Sequence, residues 1–155
     1  MILETERLRI HPASDEEMRA LIANEEDEGL RLAYGEMLAM SEKHPDCREW
    51  YAAWFIENTE SERLGELCFK GLSAEGSAEL GYGILPAFQN RGYATEAVNA
   101  VTAWALSDGK AKCITAETEE DNAASKRVLL KCGFAPTGAY GEEGPLFRLK
   151  KDELK

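Results

Sequence analysis

Histidine is scarce in this 155-residue sequence: only His11 and His44 occur, with no HExxH pattern and no cluster with cysteine. A metal hydrolase or a Ser-His-Asp enzyme would have to rest on one isolated imidazole, so both classes lose support and no metal is expected. The four cysteines, Cys47, Cys68, Cys113 and Cys132, are widely separated and form no CxxC pair. Reduced, mostly buried thiols are expected rather than a disulfide framework. No run approaches the roughly 18 apolar residues of a spanning helix, and Met1–Arg7 lacks the apolar stretch of a secretory signal. A cytoplasmic protein without a membrane partner is the expectation. Lys151-Asp152-Glu153-Leu154 resembles a retention tag, but Lys155 follows it, and such tags are read at the free terminus. Basic residues are outnumbered, 18 Lys+Arg against 29 Asp+Glu, giving a formal charge of −11. That surplus repels polyanions, which argues against nucleic acid as a partner; it favours a cationic substrate and equally serves solubility. Repeats, low-complexity tracts and long Pro/Gly/Ser linkers are also missing. Residues 1–155, 44% of them hydrophobic, should therefore form one domain around one core.

What is present is a clear succession of periodicities. Leu8 and Ile10 alternate with Arg7, Arg9 and His11, as in a strand with one covered face. Pro12-Ala13-Ser14-Asp15 marks a turn, and Ser14 or Asp15 can cap a helix whose first turn carries Glu16 and Glu17. A second helix is expected at about 29 to 43. The aromatic segment Trp50 to Phe55 suits helix or strand and could either line a groove or enter the core. Arg63 to Lys70 reads as the next strand. After the turn from Gly71 to Gly76, Ala78, Leu80, Tyr82 and Ile84 alternate with Ser77, Glu79, Gly81 and Gly83 as far as Leu85-Pro86. From Tyr93 the period changes. Ala94, Ala97, Val98, Val101, Trp104 and Ala105 recur at three- and four-residue spacing, predicting a helix that stops near Asp108-Gly109. Cys113 to Thr118 is a short strand, Asp121 or Asn122 a cap, and Ala124, Val128 and Cys132 one face of a helix stopped by Gly133. Strands near 134 to 139 and 145 to 150 complete the chain. The pattern specifies an α/β (α+β) domain with a mixed, mainly antiparallel sheet of about seven strands and about four helices.

The segment carrying most chemical information is Gln89-Asn90-Arg91-Gly92-Tyr93-Ala94, a polar turn between the clearest strand and the clearest helix. Amide N–H groups at a helix start are unsatisfied and lie at the positive end of the dipole, and Gly92 leaves room for a phosphate to approach them. Glycine here also serves a simple chain reversal. Neither GxxxxGK[ST] nor a complete GxGxxG occurs, which removes support from ATP and NAD sites.

Together, Glu79-Leu80-Gly81-Tyr82, Leu85-Pro86, Gln89 to Ala97 and Asn122-Ala123-Ala124-Ser125 through Lys131-Cys132-Gly133-Phe134 resemble the GNAT acetyltransferases, and within them the Rim-type branch of ribosomal-protein N-terminal acetyltransferases. The likeness spans nearly the whole chain from Thr5-Glu6-Arg7-Leu8 onward. It implies a single GNAT-like domain whose fourth and fifth strands splay apart to admit acetyl-CoA, with the pyrophosphate on the turn formed by Gln89, Asn90, Arg91, Gly92, Tyr93, Ala94 and Thr95. By the same resemblance Ile84 and Leu85 lie along the pantetheine arm, and Asn122, Ser125 and Lys126 meet it from the second helix; Asn122 also suits a simple cap. The acceptor implied is a primary amine, on a small molecule or at a protein or peptide N-terminus.

Acetyl transfer to an amine needs a neutral nucleophile, a stabilised oxyanion and a proton for the departing thiolate. A backbone N–H freed where strand pairing opens can serve the oxyanion. Glu79 is the candidate base, and equally suits a strand glutamate paired with a lysine. Many relatives carry a tyrosine acid seven residues after the helix-start asparagine, where this chain has Leu129; Ser125 is the substitute the branch suggests, with Tyr82 and Tyr140 more remote. Arg91, Lys126, Arg127 and Lys131 could supply the positive charge that phosphates need, or be ordinary solvated residues. The rival to an enzyme is a non-catalytic acyl-CoA-binding sensor or docking domain. A homodimer is the general expectation for a soluble protein, and nothing in the sequence sharpens it.

Overall fold

The computed structural model describes residues 1–107 and 110–151. A two-residue strand, β1 (Leu3–Glu4), and β2 (Leu8–Pro12) lead into helices α1 (Asp15–Asn24) and α2 (Glu28–Lys43). A 3-10 turn at Pro45–Trp50 precedes β3 (Ala53–Asn58), β4 (Arg63–Phe69) and β5 (Ser77–Ile84). Then come α3 (Tyr93–Ala105), β6 (Cys113–Glu117), α4 (Ala123–Lys131), β7 (Ala135–Tyr140) and β8 (Pro145–Lys150). The strands form one eight-stranded sheet in the order β1-β2-β3-β4-β5-β6-β8-β7. Every pairing is antiparallel except that of β5 with β6. This is the mixed, mainly antiparallel sheet the pattern predicts; the additional strand, β1, is too short to show an alternation.

Local chemistry sets most boundaries. Ser14, not Asp15, caps α1: its Oγ accepts the Glu17 N–H at 3.0 Å while Glu17 Oε1 accepts the Ser14 N–H at 3.0 Å. Asp15 instead meets Arg48 at 2.8 Å. Asp27 Oδ1 accepts from Leu30 N–H and starts α2 one residue before the expected position. The ambiguous aromatic segment divides, with Trp50 ending the 3-10 turn and strand beginning at Ala53. The expected stop of α3 at Asp108-Gly109 lies outside the described residues, as does all but the first residue of the C-terminal tetrapeptide; the last helical residue of α3 is Ala105.

Period-two alternation gives the sheet two apolar faces. One packs under α3 and α4, where Leu8, Ile10, Ile56, Leu67, Leu80 and Ile114 meet Val98, Val101 and Leu129. All three tryptophans join it: the Trp104 ring lies 5.1 Å from both Trp50 and Trp54, and Trp50 is 4.9 Å from Phe69. Trp50 and Trp54 thus fill the core and line no groove. The opposite face is smaller, with Ala53 and Phe55 under Met18 of α1 and Tyr34 of α2. On α4 the buried residue is Leu129, joined by the buried C-cap Cys132, whereas Ala124 is exposed and Val128 half-buried. The expected apolar stripe is therefore rotated, and its other members face a cleft described below.

Two measurements check this packing. Trp54→Ala, which empties a fully buried site, should cost about 3–5 kcal/mol in urea unfolding. At alkaline pH, burial pushes the Cys132 thiol up to about 11; it also raises the Tyr82 hydroxyl, and raises Tyr34 together with the neighbouring Glu66 charge. The unfolded chain then releases these protons first, so stability should be full near neutral pH and fall as pH rises above about 9 to 10.

Candidate active site

The parallel pairing of β5 with β6 is short. It joins Ser77 to Cys113, Ala78 to Ile114, Glu79 to Thr115 and Leu80 to Ala116, and then stops. Beyond it, β5 continues along β4, with Gly81 opposite Cys68 and Ile84 opposite Gly65. β6 stays with β8 as far as Glu117 opposite Leu146. The Glu117 carboxylate accepts the Glu143 and Gly144 N–H groups, holding the β7–β8 hairpin tip against the end of β6. The two strands are drawn to different neighbours and part, and a cleft of about 500 Å³ lies between the far end of β5, the start of α3 and one side of α4.

The turn entering α3 is built for an open helix start. Asn90 and Gly92 both have left-handed backbone, φ 66° and 82°, a conformation that costs Gly92 nothing and that asparagine tolerates better than most residues. The Gln89 side chain donates to the Ile84 carbonyl at 2.9 Å, tying the turn back to the strand it leaves. Ser14, Asp27 and Asn122 cap α1, α2 and α4 with side-chain oxygens, but Gly92 has no side chain to offer α3. The first amides of α3 are thus left for an outside acceptor.

The expected co-substrate residues separate into two groups. Ile84, Gln89, Asn90, Gly92, Tyr93, Ala94 and Thr95 line the cleft from one side, and Asn122 and Ser125 from the other. Asn122 does cap α4, its Oδ1 accepting the Ser125 N–H at 3.0 Å. Leu85, Arg91 and Lys126 do not line it. Leu85 bonds through its N–H to Leu64 and leaves its side chain 45% exposed; Arg91 faces solvent; the Lys126 ammonium turns back to the Glu120 carbonyl. The cations on the cleft wall are Arg127 and Lys131. They stand four residues apart on one side of α4, a spacing that could have singled them out once the phase of the helix was known.

Of the expected reacting groups, Ser125 is on the cleft wall, and opposite it stands Tyr82, two residues past the last position at which β5 pairs with β6. The Tyr82 hydroxyl and Ser125 Oγ are 2.8 Å apart, so one hydrogen bond spans the opening between β5 and α4. Burial raises the Tyr82 pKa, and the Ser125 bond works against that rise. Leu129 is fully buried in the core. Tyr140, 65% exposed on β7, does not line the cleft. Glu79 lies one residue before the strands part, on the α1/α2 face of the sheet, and does not line the cleft. Its carboxylate accepts from Lys70 Nζ at 2.9 Å, a bond that raises the lysine pKa despite the opposing effect of burial. On the same face the Tyr34 hydroxyl reaches both oxygens of Glu66, at 2.9 and 3.0 Å. Among the described residues, no group of three or more His, Cys, Asp or Glu side chains is arranged to hold a metal, and no helix is long and apolar enough to cross a membrane.

Comparison with known proteins agrees with this geometry. An uncharacterized N-acetyltransferase of Bacillus subtilis strain 168, YoaA, is 31% identical over 149 residues, covering 88% of this chain and 84% of that protein. Among solved structures, RimL, a ribosomal L7/L12 α-N-protein acetyltransferase in complex with coenzyme A, shares the fold with a TM-score of 0.76 at 16% identity, over 97% of this chain and 98% of that one. A variant of the SpeG spermidine N-acetyltransferase from Vibrio cholerae gives a TM-score of 0.73 at 16% identity, over 96% of each chain. The family model of the acetyltransferase (GNAT) domain matches residues 4–135, and with the parted strands and the open start of α3 the conclusion is that this chain belongs to the GNAT acetyltransferase family.

Proposed function

We propose that the protein transfers an acetyl group from acetyl-CoA to a primary amine, binding the co-substrate in the cleft between β5 and α4. The observation that carries this reading is the uncapped start of α3, opening into a cleft that begins where β5 and β6 part. The pyrophosphate rests on the amides from Gly92 to Thr95, with Arg127 and Lys131 supplying positive charge in a chain of net −11. The pantetheine arm follows Tyr82 to Ile84, the part of β5 that has lost its parallel partner, where free backbone groups can bond its amides and the carbonyl oxygen of the acetyl group.

Acetyl-CoA supplies the acetyl group as a thioester; the remaining chemistry belongs to the chain. The amine approaches from the α1/α2 face, a cation drawn to an acidic protein. Glu79, on that face and one residue from the divergence, takes its proton, and Lys70 holds the carboxylate in place. Ser125, bonded to Tyr82, faces the leaving sulfur. Both the ribosomal-protein and the spermidine acetyltransferases named above act on amines, and the acceptor here is of that broad class, a small or peptidic primary amine.

Titration with acetyl-CoA should raise Tm progressively, as a ligand of the native state must, and a panel of amines and short peptides should include one class that triggers release of free thiol. Stabilisation without release on any amine would favour the acyl-CoA sensor, the reading that Leu129 in place of a tyrosine supports. No stabilisation at saturating acetyl-CoA would end the proposal. Glu79→Gln should lower kcat about 100-fold, and Ser125→Ala about tenfold, with acetyl-CoA affinity retained in both. Wild-type turnover in either variant would remove that residue from the chemistry.

A further inference from the structure

The segment Thr5-Glu6-Arg7-Leu8 is remote in sequence from the anion turn, yet the fold brings the two together. Thr5 N–H donates to the Leu8 carbonyl and Leu8 N–H to Thr5 Oγ1, closing a tight turn between β1 and β2 that presents Arg7 to the start of α3. The guanidinium then spans the turn. Nε donates to Glu96 Oε1 at 2.7 Å, Nη1 donates to the Arg91 carbonyl at 3.0 Å, and the group lies over the Tyr93 ring with its carbon 4.4 Å from the centroid. Nη2 stands beside Gly92, 3.4 Å from where a Cβ would be. The Arg7 N–H and the Thr5 hydroxyl also bond to Glu96 Oε2.

Glu96 explains why so many groups converge. It is the one acid in the first turn of α3, where a carboxylate favours the helix dipole but stands beside amides meant for an anion. Unopposed, its charge would repel the phosphates those amides attract. Arg7 cancels that charge and leaves the amides of residues 92 to 95 free, because it engages the carboxylate and the carbonyl of the turn rather than its N–H groups.

We infer that Arg7 is a positioning residue for the co-substrate's phosphates, supplied by the N-terminal turn: it neutralises Glu96 and pins the Arg91 carbonyl so that the α3 amides face the cleft. The inference rests on the acetyl-CoA reading above. Arginine suits this place because its planar fork offers separate N–H donors, in fixed geometry, to a carboxylate and a carbonyl on different residues; a lysine would keep the charge but not that fork.

The test compares acetyl-CoA with acetylpantetheine, which carries the same thioester without the phosphates. Arg7→Met should raise the Kd of acetyl-CoA at least about tenfold, leave kcat at saturation within about twofold, and leave the KM for acetylpantetheine unchanged. Arg7→Lys should fall between wild type and Arg7→Met, and adding Glu96→Gln to Arg7→Met should recover part of the loss, since the charge to be cancelled is gone. Should Arg7→Met not fold, Arg7→Lys with and without Glu96→Gln makes the same comparison. Unchanged acetyl-CoA affinity in a folded Arg7 variant would overturn the inference, as would an equal loss toward acetylpantetheine. A wild-type chain that does not bind acetyl-CoA at all would instead overturn the assignment of the cleft.

Discussion

Four residue pairs hold β5 to β6, and the divergence after Leu80 and Ala116 is the constraint from which the site follows. A sheet that stayed paired there would satisfy its backbone internally and leave nothing for a ligand. Because β6 is committed to β8, with Glu117 anchoring the hairpin tip, the end of β5 keeps one unpaired edge, and Tyr82 and Ile84, which would otherwise continue the core face, become a wall. The core beneath is dense and aromatic, with Trp104 and Phe69 in contact with each other and each with both Trp50 and Trp54. That rigidity lets an opening of this size persist, because a close-packed interior does not flow to fill it.

Charge is arranged at two scales. The chain as a whole is acidic, while the cleft concentrates Arg127, Lys131 and the open end of a helix dipole, and Arg7 offsets the Glu96 carboxylate in the first turn of α3. In Glu96 the competing effects are visible in one group. Burial disfavours its charge, but the bonds from Thr5 and Arg7 and the Arg7 charge outweigh that penalty and hold its pKa below the ordinary value. In the proposed reaction the co-substrate is an anion and the amine acceptor a cation, and a uniform surface could not attract both. Separate faces of one sheet can.

Much of this was legible in the sequence because it depends on local patterns. The alternation in β5, the three-and-four spacing of α3 and the polar turn between them are short-range signals, and they located the open helix start to the residue. The phase of α4 was not legible: Ala124, Val128 and Cys132 form a plausible apolar stripe, but the helix packs on Leu129 and Cys132 and turns Ala124 and Val128 to the cleft, bringing Arg127 and Lys131 with them. Alternation alone places Tyr82, a remote candidate on spacing, on the covered face of the sheet; the pairing with β6 ends two residues earlier and opens that position to the cleft. Glu79 and Lys70 are partners across the β4–β5 hairpin, and a register, not a spacing, brings them together. Arg7 and Glu96, 89 residues apart, lie beyond any local rule.

The two outer strands of the sheet share a property with consequences for association. β1 pairs over only two residues, and β7 carries a proline and a register shift between Pro136 and Tyr140. Neither border offers the long, flat row of free N–H and C=O groups on which another strand could build. Both borders thus work against edge-to-edge growth into fibrils or open-ended sheets, because a ladder continued from either would start on a strand that is very short or interrupted.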